Sequence, residues 1–198
     1  MIRELIIKNR SYRRFDESAR VALDELKEFI DLARLSASAR NMQSLRYVLS
    51  TEPGLNEKIF STLGWAGYLK DWDGPVRGER PAAYIVMMND DSLTKNYFCD
   101  DGIAAQSILL GAVEKGYGGC IIASVNKKKL AEALQLDENY SIIQVIALGR
   151  PAEKVVLEEV EGDDIKYWRD SNDVHHVPKR ALDDLIVGEA GCENRVNS

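Results

Sequence analysis

Arg10-Ser11-Tyr12-Arg13-Arg14-Phe15 is the stretch that the rest of this chain is arranged to serve. Between Met1 and Phe15 there are five basic residues and one acidic residue, although the formal net charge of the chain is -6. Guanidinium groups present forked donors that match phosphate oxygens, and a neighbouring hydroxyl adds a compact donor. The stretch therefore predicts a binding site for a small phosphorylated ligand. The alternative is a solvated basic turn whose charges form surface ion pairs.

The composition is that of an ordinary globular protein, with 198 residues, 45% hydrophobic and 29% charged. The pI near 5.1 argues against a nucleic-acid partner, because binding to a phosphate backbone needs a broad basic face. The chain has no apolar run long enough to span a bilayer and no charged-then-apolar leader. We therefore expect a cytoplasmic protein with neither a membrane nor a nucleic-acid partner.

The cysteines and histidines show no spacing typical of a metal site or a nucleophilic triad. Cys99, Cys120 and Cys192 lack CxxC spacing, which fits reduced thiols, and Cys120 lies in an apolar run typical of a core. His175 and His176 are neighbours, so an extended chain would direct them to opposite sides. The sequence predicts no metal site and no Ser-His-Asp or Cys-His catalytic arrangement.

Apolar periodicity predicts helices that alternate with short buried strands. The predicted helices are Ile2–Lys8, Asp24–Leu35, Leu55–Leu63, Tyr97–Lys115 and Lys127–Leu136. The predicted strands are Tyr47–Thr51, Ala82–Met88, Cys120–Ala123 and Ser141–Leu148, the last closed by Gly149-Arg150-Pro151. This alternation favours one α+β or α/β layered domain.

The Tyr97–Lys115 helix is rich in small residues, which would allow another helix to approach closely, within the subunit or across a dimer. Gly116–Gly119 is predicted to end this helix as a glycine stop. The segment Ser36–Ser44 is small and polar, and we expect it to stay out of the core. Residues 158–178 are expected to be acidic and then loop-like, and residues 182–187 to form a last helix or an extended arm.

Residues 64–81 combine aromatic residues with glycine and proline, which is typical of either a satellite core under a loop or a mobile lid over a ligand. Trp65, Tyr68 and Trp72 would supply stacking surface for a substrate in the second case, and a structural role is equally open.

These pieces together resemble the nitroreductase-like family of FMN-dependent oxidoreductases, from about Leu5 to Val187. The matching pieces, in chain order, are the Arg10–Phe15 stretch, Ser36-Ala37-Ser38-Ala39-Arg40-Asn41-Met42-Gln43, the helix-to-strand run Gly102–Ser124, Ala147-Leu148-Gly149-Arg150-Pro151, and Lys179-Arg180. The resemblance implies a three-layer α+β fold with a mixed, mainly antiparallel sheet flanked by helices. It also implies one domain over residues 1–187, with 65–81 as an excursion and 188–198 as a disordered tail.

The same resemblance implies an intertwined homodimer that binds FMN in two clefts between the subunits, with the segment after Lys179 reaching the partner. Arg10, Ser11 and Arg13 would hold the phosphate, ribityl and pyrimidine parts, and Lys179 and Arg180 would add phosphate contacts. An arginine near the flavin N1 and O2 would favour the reduced state.

The ring itself is expected to meet two further segments of the dimer. The resemblance implies that Asn41 and Gln43 come from the other subunit. Side chains two apart in an extended segment face the same way, so these two would offer donors and acceptors to the polar edge of the ring. The backbone around Ile122, Ala123 and Ser124 would lie near the ring.

Two positions depart from the family pattern. Asn9 stands where many members have a second arginine, and Ser44 and Leu45 stand where many have proline and tryptophan. We expect FMN binding to survive both changes, and substrate preference is left open.

The expected reaction is a two-step exchange, in which NADH or NADPH reduces FMN and leaves before a nitroaromatic, quinone or related conjugated acceptor takes its place. The flavin carries the chemistry, so no catalytic side chain is required. Trp65, Tyr68 and Arg40 are candidate substrate contacts, and Arg40 and Arg46 would attract an anionic substrate or the phosphates of the nicotinamide cofactor. The alternatives are an FMN enzyme of the same fold that performs dehalogenation or flavin fragmentation, and a non-enzymatic flavin-binding module.

Overall fold

Strand β3, Ala83–Asp90, is buried along its whole length, as predicted for a strand covered on both faces. Its side chains alternate between two hydrophobic clusters. Ile85 and Met87 pack in one cluster, and Tyr84 and Val86 pack in the other. The computed structural model that shows this describes residues 1–190. It divides the chain into two compact units, the first being Met1–Glu153 and the second starting at Lys154.

The helices of the first unit lie close to their predicted positions. They are α1 Ile2–Lys8, α2 Leu23–Leu35, α3 Pro53–Phe60, α4 Asp100–Glu114 and α5 Lys127–Leu134. Helices α2 and α4 supply one hydrophobic cluster and α3 and α5 the other, so the sheet is sandwiched between helices. The layered α+β architecture is as predicted.

Local capping explains where two of these helices begin. The Glu52 side chain accepts hydrogen bonds from the backbone N–H groups of Gly54 and Leu55, at 2.8 and 2.6 Å, and so caps α3. The Asn126 side chain accepts from the Lys129 N–H at 3.1 Å and caps α5.

The central sheet is antiparallel throughout its ladders. Its strands are β1 Phe15–Asp16, β2 Leu45–Ser50, β3, β4 Gly118–Ile122 and β5 Tyr140–Pro151. They are ordered β1-β5-β3-β2, and β4 also pairs with β5. The expectation that Gly149-Arg150-Pro151 closes the last strand is wrong, because β5 continues through Pro151 and pairs there with Phe15 of β1.

The second unit contains a small sheet that the sequence patterns did not predict. Its strands are β6 Val155–Glu159, β7 Trp168–Arg169 and β8 His175–Lys179, in the order β6-β8-β7. Residues 158–178 are therefore not simply loop-like. The parallel pairing of β6 with β8 makes the chain's strand pairing mixed but mainly antiparallel. A four-residue helix, α6 Leu182–Leu185, follows this sheet.

Helix α4 meets α2 at a glycine, as its small residues predict. A Cβ atom added at Gly111 would lie 2.4 Å from Leu32 Cδ1 and 3.3 Å from Phe29 Cδ1. At least this part of the small-residue surface is used inside the subunit. Gly102 and Ile103 are exposed. That this exposed face of α4 forms a dimer interface remains a prediction.

No helix in the part of the chain that the structure describes has the length and apolar character needed to cross a membrane. Residues 188–190 are exposed and irregular, and the rest of the predicted tail, including Cys192, lies outside the described residues. The single domain over residues 1–187 stays a prediction.

Candidate functional site

The basic stretch follows α1 directly and is bound to the edge of the central sheet. Ser11 forms an isolated bridge with Gly119 of β4, and the Tyr12 N–H donates to the Gly119 carbonyl oxygen at 3.0 Å. A Cβ atom at Gly118 would lie 2.4 Å from Tyr12 Cδ2, and one at Gly119 would lie 2.7 Å from the Ala147 carbonyl oxygen. Glycine is therefore needed here for close backbone approach, beyond the helix stop that the sequence suggests.

The carboxylate of Glu153, the last residue of the first unit, holds the conformation of this basic turn. Glu153 Oε1 accepts hydrogen bonds from the backbone N–H groups of Arg13 and Arg14, the latter at 3.1 Å. The Arg14 carbonyl oxygen accepts from the Ala152 N–H at 3.0 Å, and Arg14 Nε lies 3.2 Å from a Glu79 carboxylate oxygen. Glu153 was not among the predicted site residues, since nothing in its local sequence indicates a partner so distant in the chain.

Neither Arg10 nor Arg13 points into bulk solvent. Arg10 is half-buried and donates from Nη2 to the Ile6 carbonyl oxygen at 2.6 Å, while its Nε is buried with no acceptor among residues 1–190. Burial lowers the pKa of Arg10 from its ordinary value. Arg13 is only 9% exposed, and its Nη1 donates to the Ser11 carbonyl oxygen at 3.2 Å. The turn thus holds two guanidiniums in a sheltered position beside the Ser11 backbone.

The buried thiol of Cys120 lies behind this turn. Burial raises the pKa of Cys120, and Arg13 opposes that shift. The predicted core role of Cys120 is confirmed, since the residue is 4% exposed.

The segment that carries Asn41 and Gln43, residues 38–43, is called the amide segment below. It is not extended, so the expectation that these two side chains lie two apart in an extended segment is wrong. Residues Ala39–Asn41 form a 3-10 turn, and the φ angles of Arg40, Asn41 and Gln43 are 52°, 54° and 49°. Non-glycine residues adopt this left-handed region infrequently, although asparagine does so more readily than most. Gln43 Nε2 donates to the Asn41 carbonyl oxygen at 3.2 Å, so a turn replaces the predicted side-by-side arrangement.

A buried aspartate holds this unusual segment. Asp100, 4% exposed, accepts hydrogen bonds from the Ser38 hydroxyl at 2.7 Å and from the Ala39 N–H at 2.9 Å. The Ser38 hydroxyl in turn accepts from the Gln43 N–H at 3.0 Å, and Arg46 Nη1 donates to the Gln43 carbonyl oxygen at 2.8 Å. Arg46 thus contributes to the position of Gln43. Ser44, which follows, is fully buried, so the expectation that the whole segment stays out of the core is also wrong.

A cavity of about 240 Å³ lies beside the amide segment, between α2, β2 and the start of α4. Burial raises the pKa of Tyr47, which lines it, to about 12, and Asp100 adds to the shift. The hydroxyl is therefore neutral near pH 7. The cavity is lined by Ile30, Ala33, Arg34, Ser36, Ala37, Ser38, Gln43, Leu45, Arg46, Tyr47, Asp100 and Ala104.

Residues 122–124, whose backbone is predicted to lie near the flavin ring, are at the end of β4. Ile122 is buried, whereas Ala123 and Ser124 are exposed and follow the strand. The Ser124 carbonyl oxygen accepts from the Gly64 N–H at 2.8 Å, which connects this segment to residues 64–81.

Of the predicted substrate contacts, Trp65 packs against the protein itself. Its ring lies 5.8 Å from that of Phe60 and 6.4 Å from that of Trp72, centroid to centroid. Tyr68 is half-exposed, and the Arg40 guanidinium lies 5.7 Å from the Phe98 ring centroid. The Trp65 contacts fit a satellite of the hydrophobic cluster that contains Tyr84 and Val86. That residues 65–81 form a mobile lid remains a prediction.

Lys179 and Arg180 belong to the second unit. The Lys179 carbonyl oxygen accepts from the Val160 N–H at 3.0 Å, and Arg180 Nη1 lies 3.4 Å from Asp163 Oδ1. Their contact with a cofactor phosphate stays a prediction.

The two histidines face opposite sides of β8, as predicted. His175 is buried, whereas His176 bonds through Nδ1 to Glu158 and stacks on Trp168 with ring centroids 4.1 Å apart. Within residues 1–190 no group of three or more His, Cys, Asp or Glu side chains is placed to hold a metal ion.

Comparison with known proteins gives a consistent result. The family model described as "Nitroreductase family" matches residues 6–65 and 76–150. Protein DrgA of a Synechocystis species is 23% identical over 180 residues, covering 76% of this chain and 84% of that protein. A nitroreductase family protein from Clostridium novyi NT is 25% identical, with a TM-score of 0.63 over 76% of this chain and 86% of its own.

The NADPH:FMN oxidoreductase from Vibrio harveyi complexed with NAD+ is 23% identical, with a TM-score of 0.59. That likeness covers 76% of this chain and 68% of the Vibrio chain. At this level of identity it shows a shared fold.

Proposed function

Because this chain belongs to the nitroreductase family, we propose that it is an FMN-dependent oxidoreductase that oxidises NADH or NADPH. The acceptor is a nitroaromatic, a quinone or a related conjugated molecule. The V. harveyi structure, an NADPH:FMN oxidoreductase with NAD+, supports both the flavin and the nicotinamide cofactor. We place the enzyme in the cytoplasm, where reduced nicotinamide nucleotides and reduced thiols occur together.

The observation that carries this proposal is the sheltered basic turn. The buried Arg10 Nε has no acceptor in the described part of the chain, and an N–H group left in this state is costly unless a ligand satisfies it. The glycine pair of β4 lets the backbone at Ser11 approach the sheet edge closely. A phosphate and a polar chain of the size found in FMN fit this donor set.

FMN, when bound, supplies the two-electron chemistry, and the protein orients it and adjusts its reduction potential. Arg10 and Ser11 would hold its phosphate and ribityl part, with Lys179 and Arg180 as further contacts. The positive charge of Arg13 would favour negative charge on the reduced ring. Backbone groups of residues 122–124 would flank the ring.

The other half of the site would come from a second copy of the chain, in a homodimer. In that arrangement Asn41 and Gln43 would address the polar edge of the ring. Asp100 and Arg46 would act by keeping the turn that carries them in place, because both bond to that segment.

The absorption spectrum of the purified protein tests the cofactor. We expect the visible bands of an oxidised flavin, released as FMN on denaturation and restored when apoprotein is mixed with FMN. A protein that stays colourless after this treatment contradicts the proposal. Substitution Arg10→Ala should weaken FMN binding roughly tenfold or more, which corresponds to losing one charge-assisted contact.

Steady-state kinetics tests the reaction. With NADH or NADPH and a quinone varied together, double-reciprocal plots should give parallel lines, the pattern of a two-step exchange. Intersecting lines would rule out that exchange. Bound FMN without oxidation of either nucleotide would instead support the non-enzymatic flavin-binding module.

A further inference from the structure

An open groove of about 1260 Å³ lies where the N-terminal ends of α2 and α3 meet the segment before β3. None of the residues assigned above to FMN lines this groove. Its lining contains three arginines, Arg20, Arg77 and Arg80, and three glutamates, Glu17, Glu25 and Glu57. The two sets of charges are equal in number, so the formal charges of the lining cancel. The partners of these side chains decide which of them a ligand can still contact.

The three glutamates are already engaged by the protein. Glu17 accepts a hydrogen bond from the Gly78 N–H. Glu25 accepts from the Ala22 N–H and from the Tyr117 hydroxyl, each at 2.9 Å. Glu57 lies 2.7 Å from Arg80 Nη1.

The arginines are not engaged to the same extent. Arg80 lies over the Phe60 ring at 4.0 Å, and its Nε is buried without an acceptor among residues 1–190. Arg20 and Arg77 are exposed, and neither has a hydrogen-bond or ion-pair partner in the part of the chain that the structure describes. Arg20 and Arg77 are therefore the charged donors of the groove lining that a ligand can still engage.

The Tyr84 hydroxyl adds an independent observation. Tyr84 is 1% exposed and lines the groove, and its hydroxyl has no hydrogen-bond partner within residues 1–190. The oxygen does not belong to the fully buried unpaired atoms, so the small exposed part of this side chain includes the hydroxyl. Burial raises the pKa of Tyr84 above its ordinary value, so the hydroxyl keeps its proton and can donate. A hydroxyl that reaches the groove from an otherwise buried side chain, with no partner in the protein, can donate to a ligand or to water there.

The N-terminus of α2 adds further donors. This helix has 13 residues, and no side chain of its N-cap residue accepts from its first turn. Ala22 and Leu23, at its start, line the groove. Glu25 accepts from the Ala22 N–H, and Asp24 and Glu25 offset part of the helix dipole. The backbone N–H groups of the first turn that follow Ala22 are the donors that an anion could use.

We propose that this groove binds a small organic phosphate at a site separate from the FMN site. Arg20, Arg77 and the Tyr84 hydroxyl bind the phosphate, with the first turn of α2 behind them. A dianionic tetrahedral group fits this many donors better than a carboxylate, which has two oxygens. The volume leaves room for the organic part, and Val21, Leu23 and Phe60 supply apolar surface for it.

The test uses the FMN-loaded protein, labelled with 15N and titrated with phenyl phosphate at constant ionic strength. We expect saturable shifts of the backbone amide signals of Leu23, Asp24 and Gly54, with FMN still bound. Parallel titrations use inorganic phosphate and benzoate, both of which should bind more weakly. Shifts confined to residues 10–15, or release of FMN, would assign the binding to the FMN site and overturn the proposal.

Matched variants identify the ligand-binding residues. Arg20→Gln combined with Arg77→Gln should weaken phenyl phosphate binding roughly tenfold, the effect of losing about one strong charged hydrogen bond. Tyr84→Phe, which conserves the ring, should weaken it several-fold, on the order of one neutral hydrogen bond. The control combines Lys70→Gln with Lys128→Gln, which removes the same charge from exposed positions outside the groove.

Each outcome decides the proposal. Equal affinity of the arginine variant and the lysine control overturns it, as does the lack of saturable shifts. Benzoate binding tighter than phenyl phosphate overturns the assignment to a phosphate, and inorganic phosphate binding equally well overturns the organic part. Retained FMN absorbance in every variant shows that the fold is intact.

Discussion

The carboxylate of Glu153 accepts a hydrogen bond of 3.1 Å from the backbone N–H of Arg14, 139 residues earlier in the chain. The same oxygen also accepts from the Arg13 N–H, so one side chain orients two consecutive peptide groups. A carboxylate that accepts backbone N–H groups is among the stronger hydrogen-bonding arrangements in proteins. The conformation of the basic turn therefore depends on a residue that lies just after β5.

Substitution Glu153→Ala should loosen the basic turn and weaken FMN binding. We expect a loss of about 2 kcal/mol in the free energy of unfolding, since two N–H groups lose a charged acceptor. The dissociation constant for FMN should rise roughly tenfold, because the turn must then be ordered by the ligand. Urea denaturation and titration of apoprotein with FMN measure the two effects. Glu138→Ala, at an exposed position, is the control, and equal behaviour of both variants would contradict this role.

Asp100 should be required for the conformation of the amide segment. Asp100→Asn replaces one acceptor oxygen by a donor, which faces the Ser38 hydroxyl or the Ala39 N–H. We expect a destabilisation of about 1–3 kcal/mol, the usual result of leaving a buried donor unsatisfied. Thermal or urea denaturation measures it. Asp101→Asn, the neighbouring position in α4, should change stability by less than about 0.5 kcal/mol, and a similar loss in both variants would contradict the argument.

Sequence patterns predicted the core of the first unit well, for a physical reason. Strand β3 and helices α2 and α4 bury long apolar surfaces, so the apolar runs and periodic apolar positions in their sequences correspond directly to buried residues. Membership of the nitroreductase family was also predicted and is confirmed.

What the sequence did not reveal depends on three-dimensional neighbours. The segment in which Asn41 and Gln43 are left-handed is hydrogen-bonded to Asp100 and Arg46, which no local pattern connects to it. The small sheet of the second unit has strands of two to five residues with charged members, such as Val155–Glu159, and these are too short for a clear alternation. The contributions of Glu153 and Tyr84 likewise depend on partners, or missing partners, that only the fold defines.

The glycines of β4 give a prediction with an internal control. Gly119→Ala would bring a methyl group within 2.7 Å of the Ala147 carbonyl oxygen, and backbone cannot yield as a side-chain end can. We expect a loss of about 2 kcal/mol or more in the free energy of unfolding, together with weaker FMN binding. Gly67→Ala, which meets nothing within 4 Å, is the control and should change the free energy of unfolding by less than about 1 kcal/mol. Denaturation of both variants measures the difference, and a neutral Gly119→Ala would show that the two backbones can separate at no cost.

His176 should make the stability of the second unit depend on pH. Glu158 raises the pKa of His176 above its usual value, and Asp170, 3.5 Å from Nε2, adds to the shift. A raised folded-state pKa means that the stabilisation is complete below the unfolded value of about 6.5 and is lost as pH rises through the folded value. Titration of the imidazole C2 proton by NMR should give a pKa above 6.5 for His176. Glu158→Gln should lower it, whereas Glu159→Gln, an exposed neighbour in β6, should change it less. A pKa at or below 6.5 in the unsubstituted protein would contradict the ion pair, because only the charged imidazole gains from two carboxylates.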